Sequence, residues 1–200
     1  MTDKKPSSEG LLILMSLGLI GVAGLILGIV TLMPSYKALS PMFEVDSVEA
    51  LDNYETRYLS AESMKPTLVT GDRILVDKIA YRNSLPKRGD VILFDPIEEL
   101  RKQGYEKPFV KRIIGLPGET IEIKDGRVYI NNKSIKEDYI LEPPAYKYDA
   151  YQIPQGSYFV LGDHRNNSHD SRFWGGVPEE LIIGKAVSIF FPPSRVREFD

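Results

Sequence analysis

The chain has no cysteine among its 200 residues, which excludes disulfides, thiolate nucleophiles and cysteine-ligated zinc. That absence fits an oxidising, extracytoplasmic compartment. Only two histidines are present and no Gly-x-Ser-x-Gly elbow occurs, so any serine chemistry needs an unusual base. Nor is there an excess of basic residues: the net charge of −3 argues against a nucleic-acid binder. Apolar residues at 42% and charged residues at 26% are normal for a folded protein rather than a disordered one.

One long hydrophobic run is present. Residues 11–33 contain no charged side chain, and a helix of that length reaches roughly 35 Å, enough to cross a bilayer with some tilt. A cleavable signal peptide has a shorter apolar core, so the run reads as a retained anchor. Lys4 and Lys5 precede it and favour a cytoplasmic N-terminus. The chain thus divides into a short cytoplasmic N-terminus (1–10), a transmembrane anchor (11–33) and a polar juxtamembrane linker (34–56). An extracytoplasmic domain (57–200) follows, long enough for one sizeable core with a small insertion.

Beyond the linker the pattern is strand-like. Residues 73–77, 90–94, 109–114 and 157–161 are short β-branched or aromatic runs bounded by Gly, Pro, Asn or Asp. Residues 120–123 and 127–130 flank Lys124-Asp125-Gly126, whose Asp-Gly pair signals a hairpin; Asn131-Asn132 turns the chain again. Residues 142–155, with three prolines and three tyrosines, read as an extended loop or an edge of the insertion. With no amphipathic helix of any length, the domain is expected to be mostly β.

A serine hydrolase needs a nucleophile, a proton acceptor within hydrogen-bond reach and donors for an oxyanion. Ser63 precedes Pro66, which cannot continue a ladder, so Ser63 falls in a turn after the strand-like residues 57–60. Lys111 interrupts an otherwise apolar strand. If it points inward, desolvation lowers its pKa and makes it a general base; Ser-Lys variants of triad logic are established. Taken singly, Ser63 reads equally as a turn serine and Lys111 as an edge-strand lysine. The run 162–172 contains His164, His169, Asp163 and Asp170. A solvated loop, a His164-based triad oriented by Asp163 or Asp170, and a metal site are all readings of it, but the histidine spacing matches no standard zinc site.

Together, three segments resemble the type I signal peptidases in their short, single-anchor form. Ser63-Met64-Lys65-Pro66-Thr67 matches the family's Ser-Met-x-Pro-Thr box. Val110-Lys111-Arg112-Ile113-Ile114-Gly115 matches its lysine box, and residues 162–172 match its last signature, with His164 where Asn is usual. The matches run in family order over residues 57–184.

The resemblance implies an antiparallel β-rich catalytic domain with a small β insertion at about 117–155. It further implies a membrane-anchored serine endopeptidase that removes signal peptides from preproteins, needing no cofactor or metal. Ser63 would be the nucleophile, Lys111 the base, and Ser168 the group that orients the Lys111 amine. Asp170 and Arg172 would form a supporting ion pair, with Arg112 a structural neighbour. A preprotein would add as an extended strand, and small residues at P1 and P3 would enter shallow pockets, with Leu59, Met64, Leu68, Phe109 and Val110 lining P1. Ala61 stands where some members carry a serine that completes the oxyanion hole. Signal peptides and membrane lipid are the implied partners, with the export machinery a further candidate. A cell membrane and a thylakoid membrane both fit.

Three other readings compete. The autoproteolytic Ser-Lys repressors share the dyad but not the anchor, and a β-lactamase-like Ser-x-x-Lys is absent because Pro66 occupies the lysine position. An inactive, β-rich membrane scaffold would have lost the nucleophile or the base, and both are present.

Overall fold

A computed structural model describes residues 52–199. The expected anchor at 11–33 and most of the 34–56 linker lie outside the described residues. Among the described residues no helix is long and apolar enough to cross a membrane.

Among the described residues the architecture is mostly antiparallel β, in two sheets. The larger has eight strands in the order β1-β2-β11-β3-β4-β9-β10, with β12 pairing β11. Its strands are β1 (Tyr54–Tyr58), β2 (Arg73–Asp77), β3 (Val91–Phe94), β4 (Phe109–Gly115), β9 (Ser157–Leu161), β10 (Val177–Pro178), β11 (Ile182–Phe191) and β12 (Arg197–Glu198). The smaller sheet, of order β7-β6-β5-β8, comprises β5 (Thr120–Lys124), β6 (Arg127–Ile130), β7 (Lys133–Ser134) and β8 (Tyr148–Gln152). It is inserted between β4 and β9. Two short α-helices, α1 (Glu98–Lys102) and α2 (Ser171–Trp174), and two 3-10 turns, Glu179–Leu181 and Pro193–Arg195, complete the described residues.

Alternation explains which faces are covered. In β2, Ile74 and Val76 are buried while their neighbours are half-exposed, the period-2 pattern of a sheet with one dry face. β3 is buried at all four positions because both of its faces are covered. Val91 and Leu93 join a core with Leu59, Met64, Leu68, Ile74 and Ile189. Ile92 and Phe94 join another with Ile113, Tyr158 and Val160. A third core, built from Ile114, Ile121, Ile123, Val128, Phe159 and Leu161, fastens the inserted sheet onto β4 and β9.

The inserted sheet owes its register to two tight turns. Asp125 and Gly126 have φ of 50° and 71°, and Asn131 and Asn132 have 48° and 64°. Two consecutive positive-φ residues match the right-handed twist of flanking strands, and Asp, Asn and Gly tolerate that conformation best.

The sequence reading differs from the fold at several points. Residues 54–56, assigned to the linker, are strand residues of β1, and the strand-like stretch expected at 57–60 ends at Tyr58. Residues 148–152, read as part of an extended loop or an edge of the insertion, form β8, an edge strand of the inserted sheet; their pairing to β5 carries a register shift that blurs the alternation. Missed altogether was β11, the ten-residue strand that joins β2 to β3. It is irregular against both neighbours, so its apolar positions do not keep a simple period.

Candidate active site

Ser63 lies on the loop between β1 and β2, which is drawn shut at its base. Leu59 N–H donates to Asp72 O, and Gly71 N–H to Leu59 O, each at 2.9 Å. Asp72 is fully buried and caps the loop through Val69 N–H at 2.9 Å. Pro66 and its neighbours form consecutive turns, with Leu68 N–H reaching back to Met64 O at 2.9 Å. Met64 and Leu68 point into the core, which leaves the preceding Ser63 half-exposed.

Lys111 sits in the middle of β4, paired with Ile92 of β3. It is 4% exposed. Its Nζ contacts Ser63 Oγ at 2.8 Å and Val110 O at 3.1 Å, and the Phe109 ring centroid lies 5.7 Å away. Burial pushes the ammonium pKa down to about 8, against an upward pull from Asp170 and Asp163, with Arg172 adding to the fall. A buried lysine that is substantially neutral near pH 8 and touches a serine hydroxyl is suited to take that proton.

The loop 162–172 closes the other side. Ser168 Oγ is buried with no hydrogen-bond partner among the described residues; the contact from Ser168 to the amine that the resemblance implies is not formed here. Gly162 stands against Ser168 and the Ser63 carbonyl so closely that a Cβ would overlap both. His164 N–H donates to Ser63 O at 3.1 Å. Asp170 and Arg172 are paired, Nε to Oδ1 at 2.7 Å and Nη2 to Oδ2 at 3.1 Å. Asp170 also accepts from Gly162 N–H at 3.1 Å, and Arg172 donates to Ser168 O at 2.7 Å.

Arg112, on the opposite face of β4 from Lys111, grips Asp163 through two parallel bonds and donates to Gly89 O at 2.6 Å. Thr67 Oγ1 donates to Asp163 and accepts from Arg112 Nη2 at 3.2 Å. Asp163, Thr67, Gly162 and the pair Glu137–Arg165 have no assigned part in the sequence reading. Asp163 appeared there only as an orienter of His164. For Asp163, Thr67, Gly162 and Arg165 the one available signal was their occurrence in the matching boxes, whereas Glu137 lies outside all of them.

The two histidines part company. His164 Nδ1 lies 3.3 Å from Glu62 O and Nε2 lies 3.6 Å from Glu142, so its imidazole meets these oxygens rather than the Ser63 hydroxyl. His169 is ringed by Tyr105, Phe173 and Trp174, and burial lowers its pKa.

Of the five residues expected around P1, Leu59, Met64 and Leu68 share one core with Val110 against it. Phe109 is in a different cluster, stacked with Phe94 and edge-on to Tyr105 and Trp174.

A serine hydroxyl held by a buried lysine, on a β-rich scaffold, is the arrangement a Ser-Lys hydrolase requires. The family model described as "Signal peptidase, peptidase S26" matches residues 51–191. The chain is 49% identical over 146 residues to "Signal peptidase I" of Leptolyngbya laminosa, covering 72% of each. It is also 49% identical over 143 residues to "Probable signal peptidase I-1" of a Synechocystis strain, covering 70% of this chain and 73% of that one. Against "Thylakoidal processing peptidase 1, chloroplastic" of Arabidopsis thaliana it is 37% identical over 149 residues, which span 72% of this chain and 44% of that relative. The chain therefore belongs to the S26 signal peptidase family: it is a hydrolase that cleaves signal peptides from preproteins.

Proposed function

We propose that Ser63 and Lys111 carry out this cleavage as nucleophile and general base, through an acyl-enzyme. The observation that supports the reading most is the 2.8 Å contact between Lys111 Nζ and Ser63 Oγ at a site where burial brings the amine to about 8.

In the charged form Lys111 donates to Ser63 Oγ. Once neutral, its lone pair accepts the Oγ proton as Oγ attacks the scissile carbonyl. The backbone N–H of Ser63 is the available oxyanion donor, since Ala61 offers no hydroxyl. When the C–N bond breaks, Lys111 returns its proton to the leaving amine. A water then attacks the acyl carbon and gives a proton to Lys111; Ser63 Oγ departs and recovers that proton. Asp170 and Arg172 brace the Ser168 loop, and the Arg112–Asp163 pair fastens that loop to the lysine strand.

The finer features belong to the same proposal. Residues 11–33 anchor the enzyme as a single span with the N-terminus in the cytoplasm. The catalytic domain works at the outer face of a plasma or thylakoid membrane, beside lipid and the export machinery. Substrates bind as extended strands with small residues at P1 and P3, and Leu59, Met64, Leu68, Phe109 and Val110 shape the P1 site. The charge-free run and relatives with bacterial and thylakoidal names support the membrane setting.

The test is cleavage of an Ala-x-Ala signal-sequence peptide in detergent or lipid, comparing the wild type with Ser63→Ala and Lys111→Ala. Cleavage after the P1 alanine, lost in both variants, is the expected result. Activity that survived Lys111→Ala and vanished with His164→Ala would replace the dyad by a histidine triad.

A further inference from the structure

Between β7 and β8 the chain forms a strap, residues 135–147, and part of it is bonded to the loop 162–172. Leu141 N–H donates to Asp163 O at 3.1 Å. Ala145 N–H donates to Asn166 Oδ1 at 2.7 Å, and Asn166 Nδ2 returns a bond to Pro143 O at 3.0 Å. The Arg172 guanidinium lies 4.0 Å from the Tyr146 ring centroid.

At the centre of these contacts is an ion pair removed from water. Arg165 Nη1 and Nη2 donate to the two oxygens of Glu137 at 2.9 and 2.6 Å, and the side chains are 0% and 5% exposed. Tyr139 hydroxyl donates to Glu137 Oε1 at 2.8 Å. The remaining guanidinium edge, Arg165 Nε, donates to Gly162 O at 3.1 Å.

Gly162 is the residue that stands against both Ser168 and the Ser63 carbonyl. Its N–H is held by Asp170 and its C=O by Arg165, so both of its backbone polar groups are fixed. A buried ion pair is a poor stabiliser, because apolar residues of similar volume often do as well or better. What a bidentate guanidinium–carboxylate pair supplies is direction.

We propose that Glu137 and Arg165 are positioning residues for the dyad. Through them the inserted sheet fixes the Gly162 wall, which sets the Ser63 and Ser168 geometry and keeps water away from Lys111. The inference rests on the Ser63–Lys111 reading above. Neither residue touches the reacting atoms, and no bond is made or broken at the pair.

The experiment measures kcat and KM on a signal-sequence peptide across about pH 6–10, together with thermal melting, for the full chain in detergent. The variants are Glu137→Gln and the double variant Glu137→Leu with Arg165→Met, beside Ser63→Ala and Lys111→Ala. Glu137→Gln is expected to lower kcat roughly 10–100-fold, the scale of an ångström-level misplacement, with KM little changed. Its acid limb should move to higher pH, because water reaching Lys111 restores the ammonium's ordinary pKa. The apolar double variant should regain thermal stability without regaining kcat, since Arg165→Met removes the donor to Gly162 O.

A folded Glu137→Gln enzyme with wild-type kcat and acid limb overturns the proposal alone. So does a double variant that recovers kcat together with its melting temperature, which is the mark of a merely structural pair. Cleavage that survives Lys111→Ala overturns the dyad and this proposal together.

Discussion

Arg112 clasps Asp163 with parallel bonds of 2.8 and 2.7 Å, locking the strand that carries Lys111 to the loop that carries Ser168. Asp163 is fully buried and Arg112 nearly so, and removing one partner of such a pair leaves a charge without compensation. Asp163→Asn should therefore destabilise the domain by about 3 kcal/mol, read by chemical denaturation. Neither side chain bonds to Ser63 or Lys111. Activity measured well below the melting temperature should then fall by less than about tenfold, and a larger loss in folded protein would place Asp163 closer to the chemistry.

The lowered pKa of Lys111 fixes a pH dependence. The reactive form is the neutral amine, so kcat/KM should rise with pH along an acid limb centred near 8. A limb at the ordinary lysine position near 10.4 would mean that the amine is solvated.

The same burial costs stability. Because the folded-state pKa lies below the unfolded value, the unfolded chain holds more protons between about 8 and 10.5, and stability rises with pH through that window. Below it the full cost of burying the ammonium is present, on the order of 3 kcal/mol at 1.36 kcal/mol per pH unit. Lys111→Met should abolish cleavage yet stabilise the domain at pH 7 by up to about that amount, an advantage that fades as pH approaches 10.5. Denaturant melts of both proteins at pH 7 and 10 measure it directly; a Met variant that is less stable at pH 7 would show that Lys111 is well paired rather than poorly solvated.

Gly162 admits no side chain. A Cβ there would overlap the Ser63 carbonyl, which is backbone, and the Ser168 side chain, so the chain must shift at the nucleophile. Gly162→Ala should lower kcat by roughly 10²-fold while retaining the circular dichroism of the folded domain. Near-normal kcat would mean that the loop 162–172 yields without moving Ser63.

The P1 preference is open to a direct comparison. Leu59, Met64 and Leu68 are nearly or fully buried, with Val110 packed on them, and a large P1 side chain would have to displace core atoms, which close-packed interiors resist. Peptides with Ala at P1 should be cleaved at least about 100-fold faster than those with Phe or Leu, measured as kcat/KM. Equal rates would remove these residues from the P1 site.

Much of this protein was written locally. Strands 73–77 and 157–161 were read at their observed limits, because each is a short β-branched or aromatic run stopped by turn formers. Both turns of the inserted sheet were legible because Asp125-Gly126 and Asn131-Asn132 are among the few residue pairs at ease with positive φ. Ser63 before a proline and Lys111 in an apolar strand stood out as chemical oddities. What the sequence could not supply was which oddities meet. Ser63 and Lys111 are 48 residues apart, Arg112 and Asp163 are 51, and Arg165 and Glu137 are 28; no local period connects them. Strand β11 brings β2 beside β3, and the inserted sheet seats Glu137 on Arg165. Only the folded assembly buries Lys111 to 4% exposure, and burial is what brings an ordinary ammonium down to about 8.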